Sequence, residues 1–312
     1  MRKQLRLLCL VFAVGLVVLF QSCKKETVPA VPPQVGIFYS IVDKQVAFTG
    51  LTLRATTWSW DFGDGTKSTD KSPVHIYKDG GYYKVKLIGA DAKGDTASAV
   101  VTAAVSLTPY SLLTGDNTAA GYAGKKWKLS SSYSGDEFVN ADASLSDAGP
   151  GSLSPGIFGQ AFGMSEVYDD TFTFHFDGKY DHDVKADGAS FGGIVFAYAT
   201  TGGAGIVNTG GKDYGLITCK YTPQANATFT YVEKENFDVP SVYGAGGVVT
   251  YPGVSTLDFS GTEFIGFMDF ERKVIVQEIT DNTMRLVCFA SLSPDAAPKN
   301  THALILTFDA VK

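Results

Sequence analysis

Past residue 36, almost nothing in this chain repeats with the 3.6-residue period of a helix. Runs of alternating or β-branched residues, among them Thr96 to Val105, Val274 to Ile279, Arg285 to Ala290 and Ala303 to Phe308, are cut at short intervals by glycine and aspartate turns. A chain patterned this way buries its apolar side chains only as sheets packed face to face, so the expected fold class is all-β. Glycine pairs at 192–193, 202–203, 210–211 and 246–247 punctuate the C-terminal part and read as loops.

The start of the chain is different. Arg2, Lys3 and Arg6 precede an uninterrupted apolar run of 14 residues from Leu7 to Phe20, the length of a signal-peptide core and too short to span a bilayer. The run closes on Leu19-Phe20-Gln21-Ser22-Cys23, a small residue before a cysteine, which resembles the lipobox of bacterial lipoproteins. The resemblance implies loss of residues 1–22 and acylation of Cys23; ordinary secretory cleavage near the same point is the alternative. Each buried methylene of an acyl chain is worth about 0.8 kcal/mol, so several chains on one residue anchor a protein without a transmembrane helix. Residues 23–35 would then be the lipidated cysteine and a tether, charged and carrying Pro29, Pro32 and Pro33 without periodicity.

Loss of residues 1–22 removes Arg2, Lys3 and Arg6 and moves the formal charge from −6 to −9, which disfavours nucleic acid and an anionic membrane face as partners. Cys219 and Cys288 both lie in strand-like runs. They are read as buried free thiols, with a disulfide as the alternative.

Residues 36–107 carry strand signals at the spacing of a small sandwich: Gly36 to Val42, Gln45 to Thr49, Thr57 to Phe62, Tyr82 to Ile88 and Thr96 to Val105. Their centre reads Trp60-Asp61-Phe62-Gly63-Asp64-Gly65, followed by Pro73-Val74-His75-Ile76-Tyr77. This pattern resembles the PKD domain, an immunoglobulin-like sandwich, and implies a spacer. Trp60 and Phe62 should enter its core while Gly63, Asp64 and Gly65 form the following turn. Asp61, Asp64 and His75 suggest a metal site at first sight. However, an EF-hand loop needs an acid at its twelfth position, which counted from Asp61 is Ser72, so turn chemistry is the reading adopted.

Residues 108–312 form one larger unit, expected to be a second β-sandwich of jelly-roll type. In its hairpin Thr171 to Val184, a turn at Asp177-Gly178 alone would set Tyr180 and His182 on the wet face. A three-residue loop sets them with Phe172 and Phe174, and the apolar match favours this second register. Gly124-Lys125-Lys126-Trp127, Val167-Tyr168-Asp169-Asp170-Thr171-Phe172, Leu257 to Phe267 and Ile279 to Leu286 together resemble the domain that follows PKD modules in surface lipoproteins of Sus-type glycan-uptake systems. That resemblance implies a non-catalytic protein of the outer membrane, at the cell surface, holding polysaccharide or oligosaccharide near an importer. The segment before Tyr168 carries Phe158, Phe162 and Met164 where such relatives carry tryptophans.

Glycan binding needs flat aromatic faces for sugar rings and polar groups for hydroxyls. Tyr168, Tyr198, Tyr214, Tyr243 and Tyr251 stand in or near glycine-rich segments expected to be exposed loops, and are the candidate ligand residues. Trp127 is read as core. Asp269 and Glu271, two apart on an expected strand, and Glu166 beside Asp169-Asp170 are the acids a glycosidase reading would use, but they stand in no catalytic motif. His175, His182, Asp181 and Asp183 cannot all share one face of a hairpin and read as its solvated side rather than as metal ligands. No cofactor is expected, since the chain carries no phosphate loop, Gly-x-Ser-x-Gly or Cys-x-x-Cys.

Overall fold

The computed structural model describes residues 32–312; Cys23 and most of the expected tether lie outside them. No helix among the described residues is long and apolar enough to cross a membrane.

Seven strands build the first sandwich: β1 (Gln34–Val42), β2 (Gln45–Leu53), β3 (Thr57–Asp61), β4 (Lys67–Ser68), β5 (Val74–Ile76), β6 (Gly81–Ala90) and β7 (Thr96–Val105). One sheet runs β1-β2-β5 and the other β4-β3-β6-β7. Alternation decides what is inside: Val46 and Phe48 from β2, Trp60 from β3, and Val85 and Leu87 from β6 form the core. Trp60 is fully buried and its indole N–H donates to the Asp70 carbonyl at 2.8 Å, so the polar end of the ring is satisfied. Truncating such a side chain costs about 3–5 kcal/mol.

The second unit opens with the helix Pro109–Thr114, whose start Thr108 caps by accepting from the Ser111 N–H at 3.1 Å, with proline at the first helical position. Its strands are β8 (Lys125–Leu129), β9 (Asp136–Asn140), β10 (Asp147–Leu153), β11 (Thr171–Phe174), β12 (Tyr180–Asp183), β13 (Ala189–Gly193), β14 (Ile206–Asn208), β15 (Leu216–Lys220), β16 (Phe229–Pro240), β17 (Val248–Phe259), β18 (Val274–Ile279), β19 (Thr283–Ala290) and β20 (His302–Ala310). Ten of them form one sheet along β12-β11-β8-β20-β19-β18-β17-β16, with β9 on β20 and β10 on β9; β13-β15-β14 form a smaller sheet.

The large sheet is apolar on both faces. Met284, Leu286 and Cys288 of β19 face the main core with Trp127, Phe172, Phe174 and Phe308. Val287 and Phe289 face the other side, under Phe237, Val239, Val249 and Tyr251. Bulges in the β16–β17 pairing between Val232 and Phe237 accompany the change of side: Phe229 and Phe259 lie in the first core, Phe237 and Tyr251 in the second. Cys219 and Cys288 are buried free thiols.

The hairpin β11–β12 takes the three-residue loop: His175 pairs with Lys179, Phe172 lies opposite His182 and Phe174 opposite Tyr180. Gly178 at φ 87° supplies the left-handed residue that ends such a loop. The glycine pair 192–193 is not a loop but part of β13. There the chain passes so close to the following loop that a Cβ on Gly193 would collide with Asp269 Oδ2.

Candidate functional site

Three of the five candidate tyrosines present their rings to solvent. Tyr198 is 59 % exposed, Tyr243 48 % and Tyr214 42 %. The other two do not. Tyr251 is a core residue whose ring lies 5.4 Å from that of Phe289 and whose hydroxyl donates to the Asp142 carbonyl at 2.9 Å. Its position in β17 alternates inward, which removes it from the ligand set. Tyr168 is half-buried against Phe158 and accepts the Phe158 N–H at 3.3 Å; burial pushes its hydroxyl up to about 12. Phe158 and Met164 are core residues, so the segment before Tyr168 packs inward instead of forming a platform.

Tyr198 stands on a helix, Ile194–Thr201, where a glycine-rich loop was expected. Gly202 ends that helix at φ 64°, its N–H bonding back to Tyr198, while the Gly203 N–H returns to Ala197. The pair 202–203 is thus a helix stop. At the other end the Ile194 N–H donates to Gly215 at 2.8 Å, which places the helix beside Tyr214. A groove of about 520 Å³ runs along it, lined by Ile194, Val195, Tyr198 and Ala199 and, from the loop before β20, by Pro294 and Ala297. That loop continues to Asn300, whose carbonyl accepts the Val242 N–H, so Tyr243 follows directly. Its hydroxyl donates to Asn140 Oδ1 at 2.8 Å, which fixes the ring. Tyr214 rests on Phe162 with ring centroids 5.3 Å apart. Exposed rings held by such bonds cost little entropy when a ligand settles on them.

The acids a hydrolase would need are not displayed in this groove. Asp269 is fully buried, in a loop and not on a strand. Burial raises its pKa to about 7; its Oδ1 accepts the Phe270 N–H at 2.7 Å and its Oδ2 has no partner. Glu271 accepts the Lys273 N–H at 3.0 Å and is likewise raised by burial. Glu166 accepts from the Thr218 hydroxyl at 3.0 Å, joining β15 to the turn before β11.

A buried polar cluster lies beside Tyr221, and sequence reasoning missed it. His182 is not on the solvated side of its hairpin: its imidazole is fully buried, with Nε2 3.5 Å from Asp170 Oδ2 and Nδ1 3.4 Å from Glu263 Oε2. Ser190 of β13 donates to Asp170, and the Gln224 N–H donates to Glu263 at 2.5 Å. Burial works against charge on His182, but Asp170 and Glu263 outweigh it and hold its pKa above the usual value. Tyr221 stacks on the ring at 5.4 Å. The signal was present in the register, which put His182 with the phenylalanines. His175, by contrast, pairs with exposed Asp181 at 2.7 Å.

In the first sandwich, the turn uses up the oxygens of Asp64. They accept the Thr66 N–H and hydroxyl and pair with His75 Nε2 at 2.7 Å, bonds that hold its pKa low against burial. Asp61 accepts the Gly63 N–H at 3.0 Å, and His75 stacks on Phe62 at 4.2 Å. These residues close the turn as expected.

Residues 42–106 match the PKD domain family. Collagenase ColQ1 of Bacillus cereus (strain Q1) is 44 % identical over 52 residues, 17 % of this chain and 5 % of that protein. A microbial collagenase of Vibrio alginolyticus is 47 % identical over 47 residues, 15 % of this chain and 6 % of that protein. The likeness therefore spans only a small part of these relatives. The crystal structure of the PKD1 domain of Vibrio anguillarum Epp superposes on 25 % of this chain and 98 % of its own, at 24 % identity and TM-score 0.24. A structure from carbohydrate-binding modules of the β-sandwich superfamily covers 90 % of this chain and 92 % of its own at 15 % identity and TM-score 0.25. The family match, the Trp60-to-Gly65 turn and the two packed sheets agree that the chain carries a PKD domain over residues 42–106.

Proposed function

We propose that residues 108–312 bind polysaccharide or oligosaccharide without cleaving it. In this reading lipid on Cys23 holds the protein in the outer membrane at the cell surface, the PKD domain is a spacer, and the captured glycan is passed to a Sus-type importer. The observation that carries the binding step is the Tyr198 ring, 59 % exposed on a helix fixed at both ends and standing over a groove. An exposed aromatic face in that position suits the apolar face of a sugar ring. Asp269 is wholly buried and Glu271 is tied to its own loop, which supports binding without hydrolysis.

A second reading, an adhesin or envelope protein contact, is favoured by one feature. Apart from Tyr198 the groove residues are aliphatic or proline, a lining that also suits apolar side chains of a partner. Native gels containing α- and β-glucans, mannans, fructans and host glycans separate the two. Retardation by a glycan, lost in Tyr198→Ala and without release of reducing ends, supports the first. No retardation across the panel leaves the protein contact, and sugar release abolished by Asp269→Asn or Glu271→Gln makes the protein a glycosidase.

A further inference from the structure

A second cavity lies on the other side of the helix Ile194–Thr201. It has a volume of about 230 Å³ and is walled by the Phe196 and Tyr221 rings. Two cations line it, Lys220 and Arg272, and no acidic residue does so among the described residues. In a chain of net charge −6 that is a local reversal of sign. Neither cation has an ion-pair partner among the described residues. Lys220 donates to the Asp187 carbonyl at 2.5 Å. Arg272 donates one N–H to the Gly261 carbonyl at 3.1 Å, while its Nε–H is buried without an acceptor. Its guanidinium carbon stands 6.0 Å from the Phe196 ring centre, which holds the group at the wall.

Three threonine hydroxyls line the cavity; that of Thr262 accepts from the Gln224 side-chain amide, and the other two are restricted in what they can offer. Thr200 and Thr201 each donate to a helix carbonyl one turn back, at 2.7 Å, so toward the cavity they have only lone pairs to offer. The lining therefore supplies both cationic donors and neutral acceptors. A neutral sugar gives Arg272 acceptors but no counter-charge, and an inorganic anion without protons brings no hydrogens for the threonines. A polyhydroxylated carboxylate satisfies both. The cavity is smaller than the roughly 300–1,000 Å³ cleft of a drug-sized ligand, so it fits one ring or a chain end.

We propose that this cavity is a subsite for a uronic acid, with Arg272 receiving the carboxylate and Thr200 and Thr201 receiving ring hydroxyls. The inference rests on the glycan-binding reading and narrows its substrate class to acidic polysaccharides. Two sources of the same chemistry are separable: a free hexuronate, or a uronate residue within a polymer.

The test compares polygalacturonate, its methyl ester and a neutral glucan in affinity gels of the full chain, with glucuronate and galacturonate as soluble competitors. The acidic polymer should bind about ten-fold or more tightly than its ester, because one charge-assisted contact is lost on esterification. Added salt should weaken the difference. Arg272→Gln should abolish the preference while still unfolding cooperatively, with a midpoint lowered only by loss of the Gly261 bond and the Phe196 contact. Should that variant fold poorly, Thr201→Val, which keeps the shape and deletes an acceptor, should weaken hexuronate binding in the same direction. Competition by the monomer indicates a chain-end site; competition only by oligomers indicates an internal residue. Equal binding of polygalacturonate, ester and neutral glucan by wild type overturns this subsite and leaves the glycan reading intact. Absence of binding to all polymers and both monomers overturns both.

Discussion

Asp269→Asn should make this protein more stable above about pH 4, by a margin that grows until about pH 7. In the native fold Asp269 is fully buried, accepts one backbone N–H and leaves Oδ2 unpartnered against Gly193. Burial lifts its pKa from 3.8 to about 7. The folded state therefore keeps a proton that the unfolded chain releases. The contribution to stability is complete below 3.8 and is lost as pH rises through about 7. At about 1.36 kcal/mol per pH unit the whole span is on the order of 4 kcal/mol, and the stretch from about pH 5.5 to 7 alone is about 2 kcal/mol. Asparagine has the shape of the protonated acid and keeps the acceptor for Phe270, but cannot ionise.

Urea titrations of residues 108–312, followed through the buried Trp127, should already favour the variant by about 2 kcal/mol near pH 5.5. The lead should grow to about 4 kcal/mol near pH 7.5. Three other groups slope the same way and survive the substitution, one of them Glu271, raised by burial. Asp136, raised by burial to about 6, has mostly titrated below this window. His182, raised against burial by Asp170 and Glu263, contributes fully below 6.5 and loses that contribution as pH rises through its folded value. A residual downward slope in the variant is therefore expected. A constant offset between the two curves from pH 5.5 to 8.5 would refute the burial argument.

His182→Gln should destabilise the second unit by about 3–5 kcal/mol, because it leaves two buried carboxylates without a cation; adding Asp170→Asn and Glu263→Gln should recover much of the loss in the same denaturation assay. Tyr198→Ala should leave the unfolding free energy within about 0.5 kcal/mol while weakening glycan retardation, whereas Tyr251→Ala should cost about 3–5 kcal/mol in the denaturation curve, as expected of a buried aromatic. Labelling with a palmitate analogue should mark wild type and not Cys23→Ala; equal labelling ends the lipoprotein proposal. Residues 36–106 and 108–312 have separate cores and should each unfold cooperatively when expressed alone; a larger piece that is soluble only when fused to the smaller would place the boundary elsewhere.

Strand identity was legible because a two-residue period is local. Thr96–Val105 and Val274–Ile279 begin and end where alternation and turn residues put them. The PKD turn was legible for the same reason: Asp61 and Gly63 bond two residues apart, and His75, which closes on Asp64, follows only eleven positions later. Even the register of the Phe172–His182 hairpin followed from matching apolar residues across three loop positions.

What the chain could not display locally was the company each residue keeps. Gly192-Gly193 and Gly202-Gly203 look alike as pairs, yet one admits a close approach in β13 and the other stops a helix, since the difference lies in what packs against them. Tyr251 and Tyr243 flank the same glycine-rich stretch, and it is the fold of β17 across the second core that buries one and leaves the other exposed. Asp170, His182, Ser190 and Glu263 span more than ninety positions and meet only when β12, β13 and the loop after β17 are packed together. Period, turn chemistry and charge are properties of neighbours in sequence and fixed the all-β class. Burial, pairing and the shape of a cavity are properties of neighbours in space and were decided by the tertiary structure, because desolvation acts on a side chain only once the rest of the chain has closed around it.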